Sequence, residues 1–435
     1  MESLPCGHVA HAGRSRLCPH LIGDEPAEEY IALLTGVGIQ YDMCCVECDL
    51  ATARGDQAPL LEACEGCVAR LEDDMWALQG WRGTSSVLER PEPVDATVME
   101  VEIRRSLGPV VDLAPVTDGT QPVWIVLTHS GWLVRLDAGS GDWVPIARST
   151  LPDKPEHASR GAKARRRLHV SPKGDVAAIV HDYGRHGQVV DLRSGKVTMQ
   201  LDGGDYHPET VPFALCFTDF GARTVMIHRS GWNRLDVSDP QTGELLIARE
   251  SKKSEAARAR DHRLDYFHGR LHISPDGRWV ADDGWVWHPV GIPRLWDVHR
   301  WLNANPWESE DGPSVRNLCD RVYHWDSPMC WVADDLLAIS GIGSDYEMLL
   351  PGVRIFNAGT GLELIRIGGP RGALFAQHGR LFSVAPDGLE MWDPYTGERT
   401  ATVPGFAPTH HHPGAGELMC VRDDRHLTRW RIPRF

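Results

Sequence analysis

The sequence predicts a mainly β fold, built from a repeated strand unit and preceded by a small, α-containing, cysteine-rich module. Three observations carry this. A hairpin motif recurs from about residue 96, cysteines crowd the first part of the chain, and the charge shifts between the two regions. Seven of the 11 cysteines lie before residue 68. Residues 1–95 hold 17 acidic and 6 basic side chains, which accounts for most of the net charge of −15.

In chain order, "GDEPAEEYIALLTGVG" reads as a short helix over 24–36. Asp24 can cap it, Pro26 suits its first turn, acids crowd its positive end and Gly36 ends it. "APLLEACEGCVARLEDDMWALQG" reads as a second helix through Trp76 and Leu78. Between them stands Cys45-Val-Glu-Cys48, and fifteen residues later Cys64-Glu-Gly-Cys67. This C-x2-C…C-x2-C spacing is that of a zinc site. A tight knuckle aims two thiolates at one ion, and two more on one face of an opening helix complete a tetrahedron. The arrangement resembles a treble-clef zinc finger over about residues 43–78.

Other uses of these thiols are weaker. Core packing of Cys64 and Cys67 on a helix face explains one pair but not two at matched spacing. An iron–sulfur cluster can use the same four thiolates, whereas a redox dithiol usually sits in a βαβ context that is missing here. Cys44 is left over, or stands in for Cys45. Upstream, "PCGHVAH" and "LCPHLIG" supply two Cys-x-His pairs. Cys6, His8, Cys18 and His20 are expected to hold a second zinc, with His11 as an alternative to His8. The four pairs can also interleave, as in cross-braced RING-like modules. "CPHL…CVEC…CEGC" bears a faint resemblance to ubiquitin-binding zinc fingers, whose downstream histidines this chain lacks. With four protein ligands no open position remains, so the expected Zn2+, one ion or two, is structural. It stabilises a module with too little core to be secure alone.

Beyond residue 96 the repeat takes over. "LHVSPKGDVAAIV" at 168 is echoed by "LHISPDGRWVADD" at 271, with looser copies at 214 and 329. Each is a strand, a polar turn and a second strand. A third strand then ends on an apolar–Asp step before a Gly turn, as in "PRLWDVHRWL" and "LEMWDPYTGERTATV". The units fall at 123–150, 168–202, 214–250, 271–302, 329–367, 373–403 and 409–432. The combination of a Ser-Pro-Asp-Gly hairpin, a Trp-Asp strand end and a Thr-Gly turn resembles the WD40-type β-propeller over about residues 96–435. The departures are that no unit has a clean Gly-His start and only two keep Trp-Asp.

The resemblance implies an about seven-bladed β-propeller after a zinc-binding amino-terminal domain, with domains at 1–90 and 91–435. Closing such a ring leaves only short, protected strand edges. "ATVMEVEIRR" at 96–105 alternates in period two and can supply the outer strand that the last unit lacks. Three insertions, 149–167, 250–269 and 299–325, interrupt the repeat and read as functional or mobile loops. The first two are basic.

No G-x-S-x-G, G-x4-G-K-[ST] or H-E-x-x-H motif is present. "HHHP" at 410–413 could bind a metal, but three histidines opening a last blade read first as exposed or adventitious. Trp132, Trp232, Trp296, Trp392 and Trp430 occupy repeat positions and are expected to pack blades. Trp285, Trp287, Trp301, Trp307, Trp325 and Trp331 become contact candidates wherever they are exposed. No apolar run suits a membrane span or signal peptide, so a cytoplasmic location is expected. An acidic zinc module is a poor phosphate binder, which disfavours nucleic acid unless a basic stripe joins Arg165–Arg167 to Lys252–Arg263. The expectation is a non-enzymatic protein-interaction scaffold whose partners are proteins. The alternative is a propeller enzyme or ligand-binding protein with a site at the central channel mouth.

Overall fold

Short apolar–polar alternations cut by Gly, Pro and Asp turns fold this chain into strands. The computed structural model describes residues 15–22, 30–34, 41–45, 47–48, 51, 60–63, 67, 93–94, 96–103, 105–153, 165–247, 249, 262, 264–343, 349–422 and 426–434. Near the amino terminus, β1 (Ser15–Leu17), β2 (Tyr30–Leu34), β3 (Tyr41–Cys45) and β4 (Leu61–Ala63) form one sheet in the order β2-β3-β1-β4. Strand β1 runs parallel to β3.

This corrects the first helix expectation. Tyr30–Leu34 is a strand paired antiparallel to β3. The second expected helix begins as β4, Cys67 is helical, and its other residues beyond Ala63 lie outside the described ones. Cap and propensity signals are worth about 1 kcal/mol each, which strand pairing outweighs.

Strand β5 (Met99–Glu102) follows, and then the repeat. The first sheet holds β6 (Val110–Pro115), β7 (Val123–Thr128), β8 (Trp132–Asp137) and β9 (Asp142–Arg148). The second holds β10 (Arg165–Val170), β11 (Val176–Asp182), β12 (His186–Asp191) and β13 (Val197–Asp202). The third has β14 (Leu215–Phe220), β15 (Arg223–Gly231) and β16 (Arg234–Ser238), with a Ser238–Leu245 bridge beyond. The fourth has β17 (Phe267–Ile273), β18 (Trp279–Val286), β19 (Val290–Asp297), β20 (Arg316–Asn317) and β21 (Arg321–Val322). The fifth holds β22 (Met329–Ala333), β23 (Leu336–Ile342), β24 (Leu350–Asn357) and β25 (Glu363–Gly368). The sixth holds β26 (Leu374–Gln377), β27 (Arg380–Ala385), β28 (Gly388–Trp392) and β29 (Arg399–Pro404). The last joins β30 (His410–His412), β31 (Glu417–Val421) and β32 (His426–Arg431) to β5.

Thus β5 supplies the outer strand expected from 96–105, antiparallel to β32. The first unit starts earlier than its expected boundary at 123, because Val110–Pro115 is its inner strand. The third insertion is packed structure rather than a loose loop. Helices α1 (Val298–Asn303) and α2 (Glu308–Asp311) fold within it, and β20 and β21 share the outer edge of β19. Asp297, the acid of a Trp-Asp step, caps α1 by accepting from the Arg300 amide at 3.0 Å. Most of the first two insertions lies outside the described residues.

The sheets are meanders arranged as in a β-propeller, with first strands side by side. Hydrogen bonds or packing link each sheet to the next. Leu168 N donates to Asp112 at 2.8 Å, Phe213 N to Asp182 at 3.3 Å, and Asn233 Nδ2 to Leu264 O at 2.8 Å. Trp331 Nε1 donates to His272 O at 3.0 Å, and Val353, Ile367, Leu374 and Trp392 share one core. His411 meets Gln377 at 2.8 Å, and His410 meets Asp112 at 2.9 Å, back on the first sheet. In such meanders, hairpins between second and third strands share one face with the sheet-to-sheet connections. Hairpins between first and second strands lie on the other.

Candidate functional site

Parallel pairing builds the first site. Leu17 stands beside Met43, so β1 and β3 end on the same side, and Cys18 N donates to Met43 O at 3.0 Å. A single 3-10 turn, Pro19–Leu21, then turns the chain back with Leu21 buried beneath it, and a helical turn after β3 carries Cys48. Cys18, His20, Cys45 and Cys48 thereby gather, with one donor atom from each lying within 4.8 Å of the others. His20 Nδ1 is 3.5 Å from Cys45 Sγ and 3.3 Å from Cys48 Sγ, and Cys45 N donates to Cys18 Sγ at 3.3 Å. Donors at zinc-bond lengths in a tetrahedron stand about 3.5 Å apart. The soft donor set and its spacing fit a tetrahedral metal.

The protons on this cluster are unevenly held. Burial, with Cys45 and Cys18 adding, pushes the Cys48 thiol up to about 12. Burial also works to raise Cys45, but hydrogen bonds with Cys48, His20 and Cys18 outweigh it and lower that thiol. The strand alternation decides between neighbours: Cys44 and Cys45 point to opposite faces, and Cys45 joins the cluster.

The cluster takes one pair from each expected set, Cys45 and Cys48 from one, Cys18 and His20 from the other. Of the remaining residues, Cys67 is buried, while Cys6, His8 and Cys64 lie outside the described residues.

A second feature occupies the propeller face that carries the sheet-to-sheet connections. Tyr206, Phe267, Trp285 and Trp325 form a column of near-parallel rings, with centroids 5.9, 4.4 and 4.9 Å apart in turn. Trp287 stands edge-on to Phe267 and Trp285 at 5.4 and 5.0 Å, and Trp232 leans on Tyr206 at 5.1 Å. The outer members face solvent: Tyr206 is 44% exposed, Trp287 39% and nearby Tyr323 50%. Backbone strain gathers around this face as well. Tyr183, His207, His288, Tyr323 and Asp326 are non-glycine residues in the left-handed region, and His378 is the sixth among the described residues.

Of the tryptophans singled out as contact candidates, Trp287 is exposed, Trp307 and Trp325 are half-buried, and Trp285, Trp301 and Trp331 are buried. Among the repeat-position tryptophans, Trp296, Trp392 and Trp430 pack blades as expected, but Trp132 is exposed with Arg148 over its ring. Where it is described, the basic segment is paired with acids: Arg165 and Arg167 with Asp182, and Arg166 with Asp153.

The third feature is a central cavity of about 920 Å³ between the first strands. The histidines of "HHHP" adjoin it rather than standing exposed: His411 lines it and His412 is buried, meeting Val123 O at 3.1 Å. Burial, with Arg167 and Arg270 nearby, holds His169 down to about 4 and His272 to about 3. Burial, together with His412 and His378, holds His411 down to about 3.

No protein family's profile matches the chain, and no curated protein matches its sequence. Among solved structures, a chain in the crystal structure of a mitotic checkpoint complex is similar, with a TM-score of 0.47 at 14% identity. The match covers 79% of this chain and 97% of that one. A likeness of that degree transfers no function, and the propeller architecture rests on the sheets themselves. No described helix is long and apolar enough to cross a membrane.

Proposed function

We propose that this chain is a non-enzymatic protein-interaction scaffold, in which a seven-bladed, WD40-like propeller over residues 91–435 binds a protein partner through its aromatic face. The module at 1–90 would assist it, its Cys18, His20, Cys45 and Cys48 holding a structural zinc ion. When bound, that ion supplies a cross-link between the ends of β1 and β3, in a module whose buried core among the described residues is small. Four protein donors leave it no open position, which supports a structural role over a catalytic one.

The observation that carries the scaffold reading is the exposed ring surface of Tyr206, Trp287 and Tyr323. Tyr and Trp are enriched at interface hot spots because they bury large area at little cost in side-chain entropy. Here the packed column beneath Tyr206 and Trp287 already fixes their orientation, which lowers the cost of binding further.

The test is affinity purification of the full chain from nuclease-treated native lysate, beside Tyr206→Ala/Trp287→Ala. A stoichiometric protein retained by the wild type and lost by the double variant, with the melting temperature unchanged, is the expected result. Equal retention by both would remove the aromatic face from the reading.

A further inference from the structure

We propose that the central cavity is a second, separate binding site, for a small organic carboxylate. Its volume of about 920 Å³ falls in the range of small-molecule pockets. The cavity runs from the hairpins between first and second strands, at Pro115, Pro172 and Gly414, to Arg270 and Asp326 at its inner end. There it is floored from across the ring. The Tyr183 hydroxyl, on the second sheet, donates to Asp326, just ahead of the fifth, and Arg270 of the fourth reaches the same carboxylate at 3.2 Å. Entry is therefore from the hairpin face, away from the aromatic surface.

The floor points to an anion. Arg270 is half-buried and meets Asp326 through one nitrogen, while a guanidinium presents five N–H donors in a fork that suits a carboxylate. Asp326 also has Tyr183 as a partner, so a ligand carboxylate can engage Arg270 without leaving Asp326 bare. Beside this floor, His272 Nε2 is buried without a hydrogen-bond partner among the described residues. Because burial and the Arg270 charge keep His272 neutral, an arriving anion favours its protonation. The walls point to an organic body. Met329, Trp331, Leu374 and Phe375 offer apolar and aromatic surface, which a bare inorganic anion leaves unused.

The probe is 4-fluorobenzoate, titrated into the full chain and followed by fluorine NMR, with inorganic phosphate as the bare-anion control. A ligand this small is expected to bind with Kd on the order of 1 mM. Losing one charge-assisted contact in Arg270→Gln is expected to weaken binding about tenfold to a hundredfold, while Arg270→Lys, which keeps the charge but not the fork, falls between the two. Trp287→Ala, on the other face, leaves it unchanged. No saturable binding by the wild type, equal binding by Arg270→Gln, or phosphate binding as well as the arene carboxylate would each overturn the proposal. None of these outcomes bears on the aromatic face, so the scaffold reading stands or falls separately.

Discussion

His169 and His272 occupy the same position of the repeated Leu-His-x-Ser-Pro hairpin, on inner strands β10 and β17. Burial and neighbouring guanidinium groups hold them to about 4 and about 3 in the folded protein, against about 6.5 for a free histidine. Both folded values lie below the unfolded one. As the pH falls through about 6.5 the unfolded chain therefore binds protons first, and stability is lost progressively down to the folded values of about 4 and about 3. At about 1.4 kcal/mol per pH unit, each histidine costs about 2 kcal/mol by pH 5. Both are half-buried, and exposure to solvent screens the effect, so about 1 kcal/mol each is the working figure. His412, held to about 4 mainly by burial, adds to the loss, and Asp283, raised to about 6 by burial, opposes it. A difference measurement cancels these. Urea unfolding of the wild type and of His169→Gln/His272→Gln, at about pH 7.5 and about pH 5, isolates the pair. Glutamine keeps hydrogen-bonding capacity and takes no proton. The double variant should lose about 2 kcal/mol less than the wild type between the two conditions. An equal loss in both proteins would refute the placement of these rings in a desolvating site.

Two further predictions address the metal cluster and the ring. Cys18→Ser or Cys45→Ser should abolish zinc binding at the described cluster, lowering metal content by one equivalent and removing amide protection from β1 and β3 but not from β7 or β18. If Cys64→Ser removes that zinc while Cys18→Ser leaves it, the grouping of Cys45 and Cys48 with Cys64 and Cys67 is the correct one. Val101 on β5 is buried against Met419 and Leu427 with Ile103. Val101→Asp should lift β5 from β32 and cost about 3–5 kcal/mol, since two apolar side chains lose their burial. Unchanged stability in urea would mean that β5 does not close the last sheet.

Much of the propeller was legible because its units repeat. The Ser-Pro-Asp-Gly turns and the apolar–Asp strand ends are local, and each recurs at a spacing that a strand meander requires. The inner strand of the first sheet, Val110–Pro115, was harder to see, since "VVDLAP" lacks the motif that its counterparts at 168 and 271 carry. The Tyr30–Leu34 segment misled for a related reason: its flanking Asp, Pro and Gly are strong local helix signals, and its strand partner lies elsewhere in the chain.

The sites divide along the same line. Four Cys/His pairs were visible as pairs, because a knuckle is local. Which pairs converge depends on β1 lying parallel to β3, and a parallel pairing leaves no mark on the spacing between ligands. The aromatic column and the floor of the cavity lie further still from any local signal. Tyr183 and Asp326 are 143 residues apart and meet because the ring sets their sheets opposite each other. Each carries a left-handed backbone without being glycine, a conformation costing on the order of 1 kcal/mol that surrounding structure must hold in place. Sequence reasoning would assign such turns to Gly or Asn. The placement of Tyr and Asp there follows from what their side chains do across the channel.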